Sequence, residues 1–227
     1  MDFLGLTRIP IYSLDLSDRS FKFLRLVDSP KGVTVANFGE GSIDKGVLEK
    51  GEIKDKNRLS EILKEVFSKN KIEFVALSLP EEKGCLRKIR ISGVSESDLF
   101  SALQFQLEEH IPLKAEDAIF DFAIIEKGSD YFDLAINAFH RDVVESYLEV
   151  VNSAGAFVVL AESELESVAR AVIPKNFTKF ALIVDWGKTR ASFSVFEKGA
   201  LSFASTNQLG GERLEIAIGK VLGVVIK

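Results

Sequence analysis

The sequence has very few of the residues that mark several common classes of protein. Its single cysteine, Cys85, excludes a disulfide framework and is typical of a reducing compartment. Its two histidines, His110 and His140, are far apart in the chain and lack the spacing of a zinc site. There is no apolar run of about eighteen residues and no basic N-terminal segment followed by an apolar one, so we predict neither a membrane span nor a secretory signal. A cytosolic protein is the expectation.

Charged residues are abundant, but they do not separate into regions of one sign. Lysine and arginine number 29 and aspartate and glutamate 34, which gives a net charge of −5. Because the basic residues are scattered among acids, we do not expect a nucleic-acid-binding surface.

With 46% hydrophobic residues in a chain of 227, a substantial core is expected, in one large domain or two joined lobes.

The hydrophobic patterning predicts an α/β chain. Residues 11–27 are typical of a hairpin with the turn Ser17-Asp18-Arg19-Ser20, and a third strand, a helix, an apolar strand and a further strand, LRKIRISGV, follow. That apolar strand, IEFVALSLP, is expected to be buried on both faces. Ser95 and Asp98 predict a capping box at the start of the next helix, which Pro112 ends. The rest of the pattern predicts a hairpin, two helices around a strand, three more strands and a final helix.

Two strand-turn-strand units, LDLSDRSFKFLRL and VDWGKTRASFSVF, share one pattern. In each, an apolar strand ends in an aspartate, Asp15 or Asp185, and one apolar residue, one small residue and two polar residues follow. Two such hairpins predict a phosphate clamp, because turn amides and hydroxyls bind phosphate oxygens and carboxylates hold hydrated Mg²⁺. The alternative is that any hairpin containing aspartate would show this pattern by chance.

Four segments together resemble the PilM family, the actin-like (FtsA-like) proteins of type IV pilus assembly. They are LDLSDRSFKFLRL, ALQFQLEEHIPLKAEDAIFDFAII, AFHRDVVESYLEVVNSAGAFVVLAESELESVARAVIP, and ALIVDWGKTRASFSVFEKG with QLGGERL. The first and the last are similar to the two phosphate loops of the family, and the second to its IEFQLEEHIP segment. They occur in the family's order over most of the chain.

The resemblance implies an actin-like α/β fold of ribonuclease H-like βββαβ units with an inserted α/β subdomain. The first lobe would span residues 1–94, the insert 95–162, and the return to the core with an incomplete second lobe 163–227. It also implies that ATP or ADP with Mg²⁺ binds between the lobes. The implied nucleotide-binding residues are Asp15, Ser17, Arg19, Ser20, Lys22, Asp185, Gly187, Lys188, Thr189, Gly210 and Gly211, with Asp15 and Asp185 as metal ligands.

The resemblance further implies a partner, the short cytoplasmic N-terminal segment of the membrane protein PilN, bound in a groove beside the insert. The chain would then lie at the inner membrane through this partner, without inserting itself. Four residues of the insert's helix are candidates for the groove: Phe100, Leu103, Gln104 and Leu107. The alternative for this apolar helix face is burial in a core. The cytoplasmic part of the type II secretion protein GspL is a related alternative for the whole chain.

Three features depart from the family pattern. Ser17 occupies a position that is usually glycine, and Asp18 adds a negative charge to a turn expected to face phosphate. The second loop keeps its glycine, lysine and threonine at residues 187–189, which suit phosphate binding better. The chain also stops at Lys227, where relatives continue, so we expect weak or absent nucleotide binding and a self-association surface at AIGKVLGVVIK.

Two classes of function remain open. One is a scaffold of the pilus inner-membrane platform that binds a peptide tail, and the other is a Mg²⁺-dependent ATPase whose turnover drives assembly. The sequence favours the scaffold because it offers no identifiable general base. We interpret Glu81-Glu82-Lys83 as a solvated turn rather than a water-orienting site, and Glu108-Glu109-His110 as a polar helix end. Cys85 has no histidine near it in sequence and is not expected to be a nucleophile.

Overall fold

A computed structural model describes residues 9–224, and its strands and helices follow the predicted order except for β4 and β5, two short strands that were not predicted. The strands are β1 Ile11–Ser17, β2 Ser20–Ser29, β3 Gly32–Ser42, β4 Leu48–Glu49, β5 Glu52–Ile53, β6 Phe74–Leu79, β7 Gly84–Ser92, β8 Ala118–Lys127, β9 Tyr131–His140, β10 Phe157–Ser163, β11 Phe180–Trp186, β12 Ala191–Glu197 and β13 Ala200–Asn207. The helices are α1 Lys56–Asn70, α2 Leu99–His110, α3 Arg141–Ser153, α4 Glu164–Val172 and α5 Gly211–Leu222.

The chain forms two compact units. Unit 1 contains the residues up to Pro80 together with Asp142–Glu164, and unit 2 contains Glu81–Arg141 and the residues from Leu165 onward. The segment expected as an insertion, residues 95–162, contributes α2, β8 and β9 to unit 2, and α3 and β10 to unit 1. Within residues 9–224, no helix is long and apolar enough to cross a membrane.

Unit 1 is built on a five-stranded sheet in the order β10-β6-β1-β2-β3. β1 is antiparallel to β2 and parallel to β6, which is parallel to β10. Alternate residues of β1 and β2, such as Leu14 and Phe21, are buried on one face of the sheet. On the same face of β3 a glycine leaves space for an aromatic ring, since a Cβ on Gly39 would lie 2.6 Å from the ring of Phe23.

The helices of unit 1 bury residues at helical spacing. Leu59, Leu63 and Phe67 of α1 are four residues apart, so they lie on one face, and all three are buried. Asp55 caps α1 by accepting a hydrogen bond from the Arg58 N–H at 2.9 Å.

The prediction that β6 is buried on both faces is wrong, because Val75, Leu77 and Leu79 are buried while the intervening residues are only half-buried. A strand that has a neighbouring strand on each side in the sheet can therefore still have one face that no other element covers.

Unit 2 contains two three-stranded sheets, ordered β7-β9-β8 and β11-β12-β13. In the first, α2 packs on alternate residues of β9, which places Leu99 and Leu103 with Leu134 and Ile136 in one core. In the second, α4 contributes Leu165 and Ala169 to a cluster with Phe196 and Leu201. Helix α5 has no buried side chain among its described residues.

The predicted capping box at Ser95 is wrong. Helix α2 begins at Leu99, and its N-cap residue Asp98 makes no side-chain capping hydrogen bond. Instead, the Ser95 hydroxyl donates to the Asp98 carboxylate at 2.6 Å, across one turn of 3₁₀-helix. The end of the helix agrees with the prediction, since α2 stops at His110, ahead of Pro112.

Candidate phosphate-binding turns and peptide surface

The first candidate turn connects β1 to β2 and contains only Asp18 and Arg19 between the paired residues Ser17 and Ser20. Asp15 lies opposite Lys22 on β2, and Lys22 lies opposite Glu40 on β3, so three charged residues form a row across three strands. These side chains lie on the face of the sheet opposite buried Leu14 and Phe23, because side chains alternate along a strand. The row therefore places a base between two acids beside the turn.

A pocket of about 520 Å³ opens at this row of charges. Its polar lining residues are Ser13, Asp15, Lys22, Glu40 and Ser78, and its other lining residues are Leu14, Phe23, Leu24, Phe38 and Gly39. This volume lies in the usual range for small-molecule sites, about 300–1,000 Å³. Of the five residues predicted in the first loop, the structure places Asp15 and Lys22 in the pocket lining, whereas Ser17, Arg19 and Ser20 lie in the adjoining turn.

The negative charge of Asp18 has a partner inside unit 1. Its carboxylate accepts a hydrogen bond from the Gly51 N–H at 3.3 Å, and the Arg19 carbonyl accepts one from the Ile43 N–H at 3.0 Å. These bonds connect the β1–β2 turn to the segment that contains β4 and β5. Asp18 therefore has a structural role in holding the turn, which the sequence alone did not indicate.

The second candidate turn connects β11 to β12 and is held by the start of α5. The Gly187 N–H donates to the Arg190 carbonyl at 2.8 Å and closes the turn. The first N–H groups of α5 then donate back to it, Gly211 to the Gly187 carbonyl at 3.0 Å and Glu212 to the Lys188 carbonyl at 2.9 Å. The first N–H groups of α5 are therefore bonded to the turn and are not left over for a ligand. Gly210 and Gly211 support the shape of the turn, while Lys188 and Thr189 lie in the turn itself.

Gly210 is sterically required where its neighbour Gly211 is not. A Cβ on Gly210 would lie 2.5 Å from the Arg190 nitrogen and closer still to the Lys188 carbonyl oxygen, whereas the nearest atom to a Cβ on Gly211 is 3.8 Å away. We therefore expect Gly210→Ala to lower the free energy of unfolding of unit 2 by about 1–3 kcal/mol, because the turn must move away from the methyl group.

Gly211→Ala is the matched control and should change the free energy of unfolding by less than about 0.5 kcal/mol. Urea unfolding followed by the fluorescence of Trp186, the only tryptophan of the chain, measures both variants. Equal costs for the two substitutions would show that the turn is not packed against the start of α5.

A buried ion pair fixes the other end of the second turn. The Arg190 guanidinium lies 2.9 Å from the Glu82 carboxylate, and the two side chains are only 12% and 11% exposed. Glu81, next to it, is buried as well, so the interpretation of residues 81–83 as a solvated turn is wrong for both glutamates. No local sequence pattern predicts this pair, because its two partners come from distant parts of the chain.

Asp185 precedes the second turn, and its neighbours are hydroxyls. It lies opposite Ser192 on β12, and the Ser192 hydroxyl is within 3.0 Å of the Thr206 hydroxyl on β13. Asp185 itself is exposed. Asp185 and Asp15 belong to different units, and among residues 9–224 no group of three or more His, Cys, Asp or Glu side chains is placed to hold a metal ion.

The donor chemistry of the pocket fits a metal–phosphate group. Mg²⁺ is usually bound by one or two carboxylates, with water and substrate phosphates filling its other positions. Asp15 would supply such a carboxylate and Lys22 a cation for phosphate oxygens, with the hydroxyls of Ser13 and Ser78 as further polar groups in the lining. Glu40 is a second acid in the same lining, so the pocket offers two carboxylates and one base for this chemistry.

The candidate peptide residues on α2 separate into two groups. Leu103 and Leu107 are fully buried and pack in the core of unit 2, as the core alternative predicts. Phe100 is 51% exposed and stacks on Phe120 of β8, with ring centroids 5.1 Å apart and an angle of 10° between the rings. Gln104 is exposed one turn further along the helix. Only Phe100 and Gln104 are therefore accessible to a ligand.

β8 is an edge strand of its sheet and lies beside Phe100. We name the region formed by Phe100, Gln104, Phe120 and the outer edge of β8 the α2–β8 surface. Exposed acids lie on the elements around it, namely Glu108, Glu109, Glu116 and Asp121. An edge strand, an aromatic pair and acidic neighbours together suit an extended basic peptide with an apolar anchor.

Cys85 does not have the environment of a reactive thiol. Burial raises its pKa above the ordinary value, and this outweighs the opposite effect of the positive charge of Arg87. A raised pKa keeps the thiol protonated near neutral pH, which disfavours nucleophilic chemistry. The side chain packs instead against the cluster of Leu107, Ile111 and Ala138.

Two α/β units, each containing a hairpin that carries an aspartate ahead of its turn, are characteristic of the actin-like ATPase fold, which confirms the predicted fold class. A solved structure of a PilM–PilN type IV pilus biogenesis complex matches with a TM-score of 0.81 and 17% identity, over 96% of this chain and 67% of that one. The family model for the type IV pilus assembly protein PilM matches residues 13–226. The chain belongs to the PilM family, as the sequence predicted.

Two more distant solved structures share the fold. The cytoplasmic domain of EpsL, an inner-membrane component of the type II secretion system of Vibrio cholerae, matches with a TM-score of 0.58 and 16% identity, over 92% of this chain and 74% of that one. MreB5 of Spiroplasma citri bound to ADP matches with a TM-score of 0.51 and 17% identity, over 96% of this chain and 58% of that one. No curated protein sequence gave a significant match.

Proposed function

We propose that this protein is a scaffold of type IV pilus assembly that binds the cytoplasmic N-terminal segment of a PilN-like membrane protein. The observation that carries the proposal is the α2–β8 surface, where an exposed phenylalanine, stacked on a second one, lies beside an edge of β8 that no strand of the described part of the chain pairs with. The similarity to a PilM–PilN complex supports the choice of partner. In this proposal the chain is located at the cytoplasmic side of the inner membrane through its partner.

The chemistry of the surface agrees with such a ligand. An extended peptide added to the edge of β8 would gain backbone hydrogen bonds, and an apolar side chain of the peptide would pack on Phe100. Cytoplasmic segments close to a membrane span carry an excess of lysine and arginine. Acids around the α2–β8 surface, such as Glu116 and Asp121, would attract these positive charges and favour association.

A direct titration tests the proposal. A fluorescently labelled peptide with the sequence of the partner's N-terminal segment should give saturable binding, and a scrambled peptide of the same composition should not. Absence of binding by a sample whose circular dichroism shows it to be folded would contradict the scaffold function. Lowered affinity at higher salt is expected as well, because exposed charges contribute to the association.

We further propose that the pocket at Asp15 and Lys22 binds the phosphates of ATP or ADP. The pocket, its carboxylate and its lysine support this, and the similarity to ADP-bound MreB5 is in agreement. Mg²⁺, when bound, would neutralise phosphate charge next to Asp15. Lys22 would pair with phosphate oxygens, and the segment containing β4 and β5 would keep Asp18 directed towards the Gly51 N–H.

Lys22→Met should raise the dissociation constant of ATP at least about tenfold, because a hydrogen bond to a charged group contributes about 1.5–3 kcal/mol. Lys45→Ala removes an exposed lysine from the same unit outside the pocket and should leave the constant unchanged. Competition with a fluorescent nucleotide measures both. An unaltered constant for Lys22→Met would contradict this site.

A phosphate-release assay with Mg²⁺ separates the scaffold from an active ATPase, since robust turnover that Asp185→Ala abolishes would favour the ATPase.

A further inference from the structure

The edge strand β3 of unit 1 is unusually apolar and exposed. It lies at the end of the sheet order β10-β6-β1-β2-β3, so among residues 9–224 only β2 pairs with it. Between Lys31 and Glu40 the strand has no charged residue. Val33, Val35 and Phe38 are 65%, 55% and 73% exposed. Natural edge strands normally carry charges or prolines that prevent pairing, and this one has neither along that stretch.

A β-bulge at Ala36 makes the apolar side chains of β3 lie on one face. Leu24 and Leu26 of β2 are opposite Phe38 and Val35, and the residue between Val35 and Asn37 has no partner. Leu24 and Leu26 lie on the same face of β2 because they are two residues apart, so Phe38 and Val35 share a face as well. Asn37 lies on the other face, where its amide donates to the Tyr12 hydroxyl at 3.4 Å.

The sequence of β3 is complementary to itself in the antiparallel direction. If two copies are related by a twofold axis between Val35 and Ala36, Lys31 lies opposite Glu40 of the second copy. In the same register Val33 lies opposite Phe38, Thr34 opposite Asn37, and Gly32 opposite Gly39. Each pair joins residues of one face, as antiparallel pairing requires. The register matches opposite charges and places the exposed ring of Phe38 against Val33.

We propose that two copies of this chain form a twofold-symmetric dimer by antiparallel pairing of β3 with β3. The strand that pairs with this edge belongs to a second copy because β3 is charge-complementary to itself. Lys31 of each copy pairs with Glu40 of the other, so one ion pair forms on each side of the twofold axis. The pairing continues the sheet of unit 1 into the second copy and satisfies the backbone groups of the open edge. It does not involve the α2–β8 surface.

Disulfide trapping tests the register. In a Cys85→Ser background, one sample carries Val33→Cys and a second carries Phe38→Cys. Opposed residues of antiparallel strands are about 4.5–5.5 Å apart between Cα atoms, which allows a disulfide. Two copies of residue 33 would be about 16 Å apart, five residues along the strand, which does not. We expect a covalent dimer after mild oxidation only when the two samples are mixed. A covalent dimer from either sample alone, or none from the mixture, would overturn the proposal.

A charge exchange tests the pairing without cysteine. Lys31→Glu and Glu40→Lys each place like charges opposite one another twice, so each should raise the dimer dissociation constant about fivefold or more. The double variant restores both pairs and should return the constant close to that of the unchanged chain. Sedimentation equilibrium measures the constants, and circular dichroism confirms folding. Identical constants for all four proteins, or a monomer at every concentration, would contradict the proposed dimer.

Discussion

Arg190→Met is expected to lower the free energy of unfolding of unit 2 by about 3–5 kcal/mol. The substitution removes the Arg190 cation from the buried Glu82 carboxylate, and removal of one partner of a buried pair has a cost of about this size. Trp186 lies four residues before Arg190, so its fluorescence during urea unfolding reports on the affected turn. A double variant, Arg190→Met with Glu82→Met, should recover most of the loss, because two apolar side chains can replace a buried pair.

Arg90→Met in the same unit is the matched control. Arg90 makes two short contacts with Asp133, 2.7 and 2.8 Å, but its side chain is more than half exposed. Asp133 is 16% exposed, but a pair whose cation faces solvent contributes about 0–1 kcal/mol, so this variant should lose about 1 kcal/mol. If Arg190→Met costs no more than Arg90→Met, the buried pair does not hold the second turn.

Phe100→Ala is expected to weaken binding of the PilN-type peptide by about thirtyfold or more. Truncation of a central aromatic residue at an interface commonly costs about 2 kcal/mol or more. Phe100 is the exposed member of a stacked pair, so it offers a flat apolar face beside the edge of β8. Fluorescence anisotropy with the labelled peptide measures the change.

Phe105→Ala provides the control on the same helix. Phe105 is 90% exposed, but five residues further along α2 its side chain lies on a different side from Phe100. Its removal deletes the same chemical group without touching the α2–β8 surface, and the peptide affinity should change by less than about twofold. Equal losses for the two variants would indicate general hydrophobic association rather than a defined site.

Local sequence patterns were sufficient to predict much of this fold. The alternation on either side of Ser17-Ser20 predicted the hairpin of β1 and β2, because turn chemistry and strand period act over a few residues. The family resemblance then supplied the actin-like arrangement. Burial was less predictable: β6 is apolar apart from Ser78 but is fully buried on only one face.

The contacts that shape the candidate sites were not predictable from local patterns. The Arg190–Glu82 pair and the Asp18–Gly51 hydrogen bond join residues that are remote in sequence. Gly210 gives no local sign that its missing side chain makes space for the turn at Lys188. The helical spacing of Phe100, Leu103 and Leu107 predicted one apolar face but could not show that only Phe100 is exposed.

Hydrogen–deuterium exchange with and without saturating PilN-type peptide is the most direct test of the proposed scaffold function. Peptide added to the edge of β8 should slow amide exchange in β8, Ala118–Lys127, and in α2, Leu99–His110, while exchange in β3 stays unchanged. Saturable binding with protection confined to these two elements is the predicted result. Protection that lies elsewhere, with β8 and α2 unchanged, would contradict the assignment of the peptide site.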